Sequence, residues 1–179
     1  MDDNKKKIAF IINPISGTQG KEHILKWLDE KLDKNRYMPE VIYTEWAGHA
    51  VEIAARKAKE EVFAVVAIGG DGTINEIARS LVHTKTALGI IPCGSGNGLA
   101  RHLQIPMEAK KAIDIINEGL IDIIDYGKIN DVPFFCTCGV GFDAFVSLQF
   151  SKAGRRGPLI YLEKTLLESL KYKPETYEL

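Results

Sequence analysis

No stretch of this chain approaches the roughly 20 consecutive apolar residues that a bilayer span requires. Lys5-Lys6-Lys7 is followed only by a short apolar run, Ile8 to Ile12, which stops at Asn13-Pro14, so no secretory signal peptide is expected. Charge of one sign is also lacking. Lys and Arg number 23 against 24 Asp and Glu, a formal net charge of -1, so no global field draws the chain to nucleic acid or to an anionic membrane. Cysteine is scarce: Cys93, Cys136 and Cys138 are odd in number and lack Cys-x-x-Cys spacing, the usage of reduced thiols in a cytosolic protein. Cys136 and Cys138 are expected on one face of a strand, as buried small residues rather than metal ligands. Internal repeats and low-complexity tracts are missing too. The expected protein is soluble and cytoplasmic, has no nucleic-acid partner, and touches any membrane only peripherally, at its inner face.

What is present is a core. Hydrophobic residues make up 45% of 179, enough for one domain, or one domain and part of another. Ile8 to Ile12 reads as a first strand. Lys21 to Lys34 reads as a helix with Ile24, Leu25, Leu28 and Leu32 on one side. Pro39 to Thr44 alternates as a second strand with Val41 and Tyr43 on one face. A helix through Lys59 is expected to turn Val51, Ala54, Ala55 and Ala58 inward. Val62 to Ile68 is an uncharged, β-branched third strand, followed by a helix from Ile74 to Leu81. Ala87 to Ile91 is a fourth strand, and a helix from about Met107 to Glu118 ends at Gly119. This alternation predicts a three-layer α/β/α domain built on a parallel sheet, over 1–122. Thereafter the pattern changes. Ile121 to Ile129 and Phe134 to Val146 read as strands around an Asn130-Asp131 turn, and Pro158 to Lys171 reads as a helix. A hairpin and one helix make a poor core, so 123–179 is expected to be the start of a β-rich second domain, cut short.

Three loops share one structural position, after the first, third and fourth strands. Gly69-Gly70-Asp71-Gly72-Thr73 joins a strand to a helix N-terminus, where free N–H groups and the helix dipole favour an anion. Its glycines let a phosphate approach the backbone. Asp71 would repel a bare phosphate, which makes a divalent cation the natural mediator. Asn13-Pro14-Ile15-Ser16-Gly17 offers an amide, a rigid turn and a hydroxyl, and Gly94-Ser95-Gly96-Asn97 repeats that chemistry. For the last, the alternative is an N-cap formed by Ser95 or Asn97. In parallel sheets, ligands bind outside the carboxyl ends of the strands, where all three loops fall. His49 and His102 have no ligand-spaced partner and read as structural.

These motifs, with Gly141-Phe142-Asp143-Ala144 and Gly157-Pro158-Leu159-x-Tyr161, resemble the diacylglycerol kinase catalytic domain family over nearly the whole chain. That family includes bacterial diacylglycerol and YegS-type lipid kinases, sphingosine kinase and ceramide kinase. The resemblance implies ATP-dependent, Mg2+-assisted transfer of the γ-phosphoryl group to a lipid hydroxyl at a membrane surface. It implies nucleotide contacts from Asn13, Pro14, Ser16, Gly17 and Thr44, and from Gly69, Gly70, Gly72, Thr73 and Glu76. Gly94, Ser95, Gly96 and Asn97 would complete the pocket. Asp71 would act as base or hold metal-linked water. Asp125 falls at the position of an aspartate in a water-mediated magnesium network, the alternative being an exposed edge carboxylate. Arg155 and Arg156 are similar to a basic pair that approaches ATP phosphates, the alternative being a solvated turn. The resemblance implies a second catalytic aspartate in the later strands of the β-rich domain, so the polypeptide alone is expected to miss part of the machinery. Two other readings stand beside this one: an NAD kinase-like enzyme, which shares the Gly-Gly-Asp-Gly-Thr loop, and a non-catalytic nucleotide-binding module.

Overall fold

The computed structural model describes residues 5–15 and 21–152, with Glu163, Thr165, Leu167, Ser169, Tyr172, Lys173 and Thr176 beyond them. In chain order the elements are β1 (Lys6–Ile12), α1 (Glu22–Lys31), β2 (Tyr37–Tyr43), α2 (His49–Lys59), β3 (Ala64–Gly69) and α3 (Asp71–Leu81). They continue with β4 (Ala87–Pro92), α4 (Gly98–His102), α5 (Ala109–Glu118), β5 (Gly127–Ile129), β6 (Val132–Phe134) and α6 (Phe142–Lys152). The chain packs as two units, Met1–Cys136 and Thr137–Leu179.

The first unit is organised on β3, whose residues are all buried because both faces of the strand are covered. The sheet order is β2-β1-β3-β4, with every neighbouring pair parallel. Strand alternation divides the core in two. Ile8, Phe10, Ile12, Val66 and Ile68 pack with α1 and α5 residues such as Leu28 and Ile113. Ala9, Ile11, Val65 and Ala67 pack on the opposite face with Ile53 of α2 and Ile74 and Ile77 of α3. Each large aliphatic side chain so buried contributes about 1.5–3 kcal/mol. From β1 the chain moves outward to β2, then returns to β3 on the other side. The strand order therefore reverses between β1 and β3, which places a crevice at their carboxyl ends.

The α/β architecture is the one expected, and several details differ. Val41 and Tyr43 share one face of β2, as the alternation implies, but are 41% and 45% exposed because β2 is an edge strand, where Tyr37 is the buried residue. In α2 the inward residues are Ala50, Ile53, Ala54 and Lys57, while Val51 points outward. The stripe is rotated because Lys57 lays its aliphatic stem in the core and sends its ammonium to Glu40 at 2.7 Å and Glu60 at 2.8 Å. Burial lowers the Lys57 pKa, but the two carboxylates outweigh it and hold the ammonium above its ordinary value. Gly119 ends α5 in the left-handed region, φ +66, and a Cβ there would stand 2.5 Å from the Tyr37 hydroxyl.

The expected long strands after the sheet shrink to β5 and β6, an antiparallel pair turning at Asn130 and Asp131, both at positive φ. Residues 135–141 form no strand, so Cys136 and Cys138 share no strand face, and both are exposed rather than buried. Phe142 to Val146 is helical. In the second unit α6 begins just after Gly141, and Phe142 and Phe145, one helical turn apart, both lean on Tyr172. Their spacing had the apolar content of a strand but the period of a helix. Of the helix expected over Pro158 to Lys171, Glu163, Thr165, Leu167 and Ser169 are helical, and the remainder lies outside the described residues.

Candidate functional site

The crevice between β1 and β3 is built from the residues that leave those strands. The Asn13 N–H continues the sheet by donating to the Ile68 carbonyl at 3.3 Å. The Asn13 side chain spans the crevice, donating from Nδ2 to Thr73 Oγ1 at 3.1 Å, while its Oδ1 accepts the Ile15 N–H. This Asx turn sets Pro14 and Ile15 outward. Ser16 and Gly17 lie outside the described residues. Beneath the loop, Lys21 is buried and donates from Nζ to the Asn13 carbonyl. Burial lowers the Lys21 pKa against the opposing pull of Cys93, and burial raises the Cys93 thiol against the opposing pull of Lys21.

The three glycines of the Gly69–Thr73 turn differ in what surrounds them. A Cβ on Gly69 would sit 2.7 Å from Thr73 Cβ. Gly70, extended at φ -96, is the N-cap of α3 and has no side chain with which to cap it. The first N–H groups of α3 therefore open on the crevice without a side-chain acceptor from the N-cap. Gly72 differs from its neighbours. A Cβ there meets nothing within 4 Å, so nothing in the described packing requires a glycine. Thr73 is buried and Glu76 half-buried on the first turns of α3.

The third loop closes on the second. A Cβ on Gly94 would lie 2.6 Å from Gly70 Cα, so the two glycines meet backbone to backbone. The Asn97 side chain fastens this loop to itself, accepting the Gly94 N–H and donating to the Gly94 carbonyl, each at 2.8 Å. Asn97 stands in the left-handed region, φ +53, and is buried. The N-cap alternative is thus resolved in an unexpected way: Asn97 occupies the N-cap position of α4 but makes no side-chain cap there. The cap comes from Asp71, whose Oδ2 accepts the Asn97 N–H at 2.8 Å and whose Oδ1 accepts the Gly98 N–H at 2.6 Å. Ser95 and Gly96 are exposed at the rim. Arg101 donates to the Gly96 carbonyl at 2.8 Å.

The fold thus brings together Asn13, Gly69, Gly70, Asp71, Gly72, Thr73, Gly94, Gly96 and Asn97. Thr44, buried at the end of β2, donates its N–H to Ile12 beside the first loop. Asp125 is exposed and makes no hydrogen bond or ion pair among the described residues. Arg155 and Arg156 lie outside them. No group of three or more His, Cys, Asp or Glu side chains forms a metal cage among the described residues. Asp71 and Asp125 do not by themselves build one. Sequence reasoning passed over Lys21 and Arg101, basic residues that brace the first and third loops from behind. The only signal was a cation near each loop. His49 has a structural partner: its Nδ1 accepts the Glu45 N–H at 3.2 Å, and its ring stacks on Trp46 at 3.7 Å.

A parallel sheet covered by helices on both faces, with glycine loops gathered at the rim where its strand order reverses, defines a doubly wound α/β domain. Residues 7–129 match the diacylglycerol kinase catalytic domain, and the chain belongs to that family. It is 35% identical over 132 residues to a diacylglycerol kinase of Staphylococcus saprophyticus, covering 73% of this chain and 43% of the relative. It is 36% identical over 140 residues to a diacylglycerol kinase of Bacillus subtilis, covering 76% and 46%. The structure of a diacylglycerol kinase from Bacillus anthracis superposes with a TM-score of 0.64 at 25% identity, covering 72% of this chain and 48% of that one. The chain spans about half the length of the curated relatives it matches.

Proposed function

We infer that this chain is the nucleotide-binding part of a lipid kinase, which transfers the γ-phosphoryl group of ATP to the hydroxyl of a diacylglycerol-like lipid at a membrane surface. In this reading residues 1–122 hold the nucleotide and 123–179 begin the lipid-acceptor domain. The observation that carries the reading is Gly72, in the first turn of α3, where an added side chain would meet no protein atom within 4 Å. Backbone N–H groups and the positive end of a helix dipole there suit a phosphate, and a glycine with no neighbour leaves room for one. Asn13 and Thr73, bonded across the crevice, form its floor. On the strength of the motifs, Thr44, Glu76 and the Ser95 hydroxyl are proposed to complete the nucleotide contacts. Ser16, Gly17, Arg155 and Arg156 are proposed as further phosphate contacts on the strength of the motifs alone. Mg2+, when it accompanies the nucleotide, supplies charge neutralisation on the phosphates.

Family membership and the names of the relatives support a kinase, and no helix among the described residues is long and apolar enough to cross a membrane. The test is transfer of labelled phosphate from ATP to diacylglycerol, sphingoid bases, ceramide, phosphatidylglycerol or NAD. Label in diacylglycerol supports the assignment. Label in NAD would replace it with the NAD kinase reading. ATP binding without transfer, even when the chain is supplied with a relative's second half, would leave a nucleotide-binding module.

A further inference from the structure

The two roles expected for Asp71, base and metal ligand, both need an oxygen directed at a ligand. In the structure both oxygens are already engaged by the protein itself, each through one of its lone pairs. Each accepts one backbone N–H from the third loop, Oδ2 from Asn97 and Oδ1 from Gly98. We propose that Asp71 is a positioning residue: its carboxylate latches the Gly94–Gly98 loop to the N-terminus of α3, so that two backbone turns present a single phosphate cradle. This deepens the nucleotide-site reading above and rests on it.

Three observations support the latch. The donors are consecutive amides, and the carboxylate takes one on each oxygen, as a fork would. The Asn97 side chain is already spent on Gly94, so α4 receives no cap from its own N-cap residue and depends on Asp71. Glycine at 96 makes the approach possible, since a Cβ there would stand 2.9 Å from Asp71 Oδ2. The latch also spans the seam where Gly70 and Gly94 touch, so losing it lets the third loop lift from the second.

The test begins with amide hydrogen exchange on the chain as it stands, followed residue by residue by NMR. In Asp71→Asn one oxygen becomes an NH2 that faces a backbone donor, so at least one bond is lost. Exchange at Asn97 and Gly98 is expected to rise about 10- to 100-fold, the equivalent of one charge-assisted hydrogen bond. Exchange at Val66, in the middle of β3, is expected to stay unchanged. Gly96→Ala keeps the carboxylate but pushes it aside, and should reproduce the same local rise. It stands in should Asp71→Asn not fold. The second readout is ATP affinity by calorimetry, with Mg2+ and with EDTA. A positioning role weakens ATP by a similar factor in both, whereas a metal-ligand role weakens it only with Mg2+. Unchanged exchange at Asn97 and Gly98, or a loss confined to Mg2+, overturns the proposal. If the unaltered chain binds no ATP, the nucleotide reading fails while the exchange result still decides whether the latch exists.

Discussion

Gly72→Ala separates a structural glycine from a functional one. Gly72 lies inside α3 and is not held in the left-handed region, and an added Cβ meets no protein atom within 4 Å. Replacing it with alanine removes backbone freedom from the unfolded chain and improves helix propensity, a gain of about 0.5–1 kcal/mol. In a chain of this size that corresponds to a rise in Tm of about 1–4 °C. In the reading proposed above, a phosphate seated on the first amides of α3 approaches across Gly72, and the added methyl would stand in its way. A phosphate held off those amides loses one or two charge-assisted hydrogen bonds, so ATP binding should weaken about 10- to 100-fold. Thermal melting and calorimetric titration with ATP, on the same preparations, give both numbers. A variant that is more stable and binds ATP poorly fits the reasoning. A variant that binds ATP as well as the original removes the phosphate from this turn. A variant that is destabilised would mean that Gly72 is held by packing after all.

Gly94→Ala is the counterpart, because its Cβ would strike the Gly70 backbone at 2.6 Å; the expected cost is about 1–3 kcal/mol in urea unfolding, and a neutral result would show that the two loops do not touch. The pairing of Lys57 carries a signature in alkali. Its pKa is raised above 10.5 in the folded chain, so its pairing contributes stability that is complete below the ordinary value and is lost as pH rises through the folded one. The stability advantage of the original over Lys57→Met should therefore shrink above about pH 10.5, and an advantage constant across that range would refute the assignment. Cys93 is half-buried with its thiol pushed up, while Cys136 and Cys138 are exposed. Iodoacetamide at neutral pH should label the latter two first by mass spectrometry, and equal labelling of Cys93 would contradict its packing.

Much of this arrangement is readable in the chain itself, and the reasons it stops being readable are local. β3 and α3 are legible because Val65, Ala67 and Ile68 carry no polar atom and Ile74, Ile77 and Leu81 recur at helical spacing. The buried face of α2 is hidden from residue type because Lys57, polar by type, is buried by its stem. Val41 and Tyr43 alternate as a buried strand would, but alternation cannot say that β2 lies at the edge. The run from Phe134 to Val146 has strand-like composition, yet Gly141 and the spacing of Phe142 and Phe145 belong to a helix start. At the site, the three loops are visible as motifs, whereas their connections are not. The Asp71 bonds to Asn97 and Gly98 join residues far apart in sequence, and only the parallel pairing of β3 with β4 makes them neighbours.

The contact between Gly70 and Gly94 leaves no thickness between the two turns. A side chain introduced at Gly94 runs into the opposite main chain, and one at Gly70 presses tightly against it. An engineer wishing to alter what this pocket accepts would therefore find the inner seam closed to change. The outer lip, at Gly72 and Ser95, is where new chemistry can be installed without dismantling the joint.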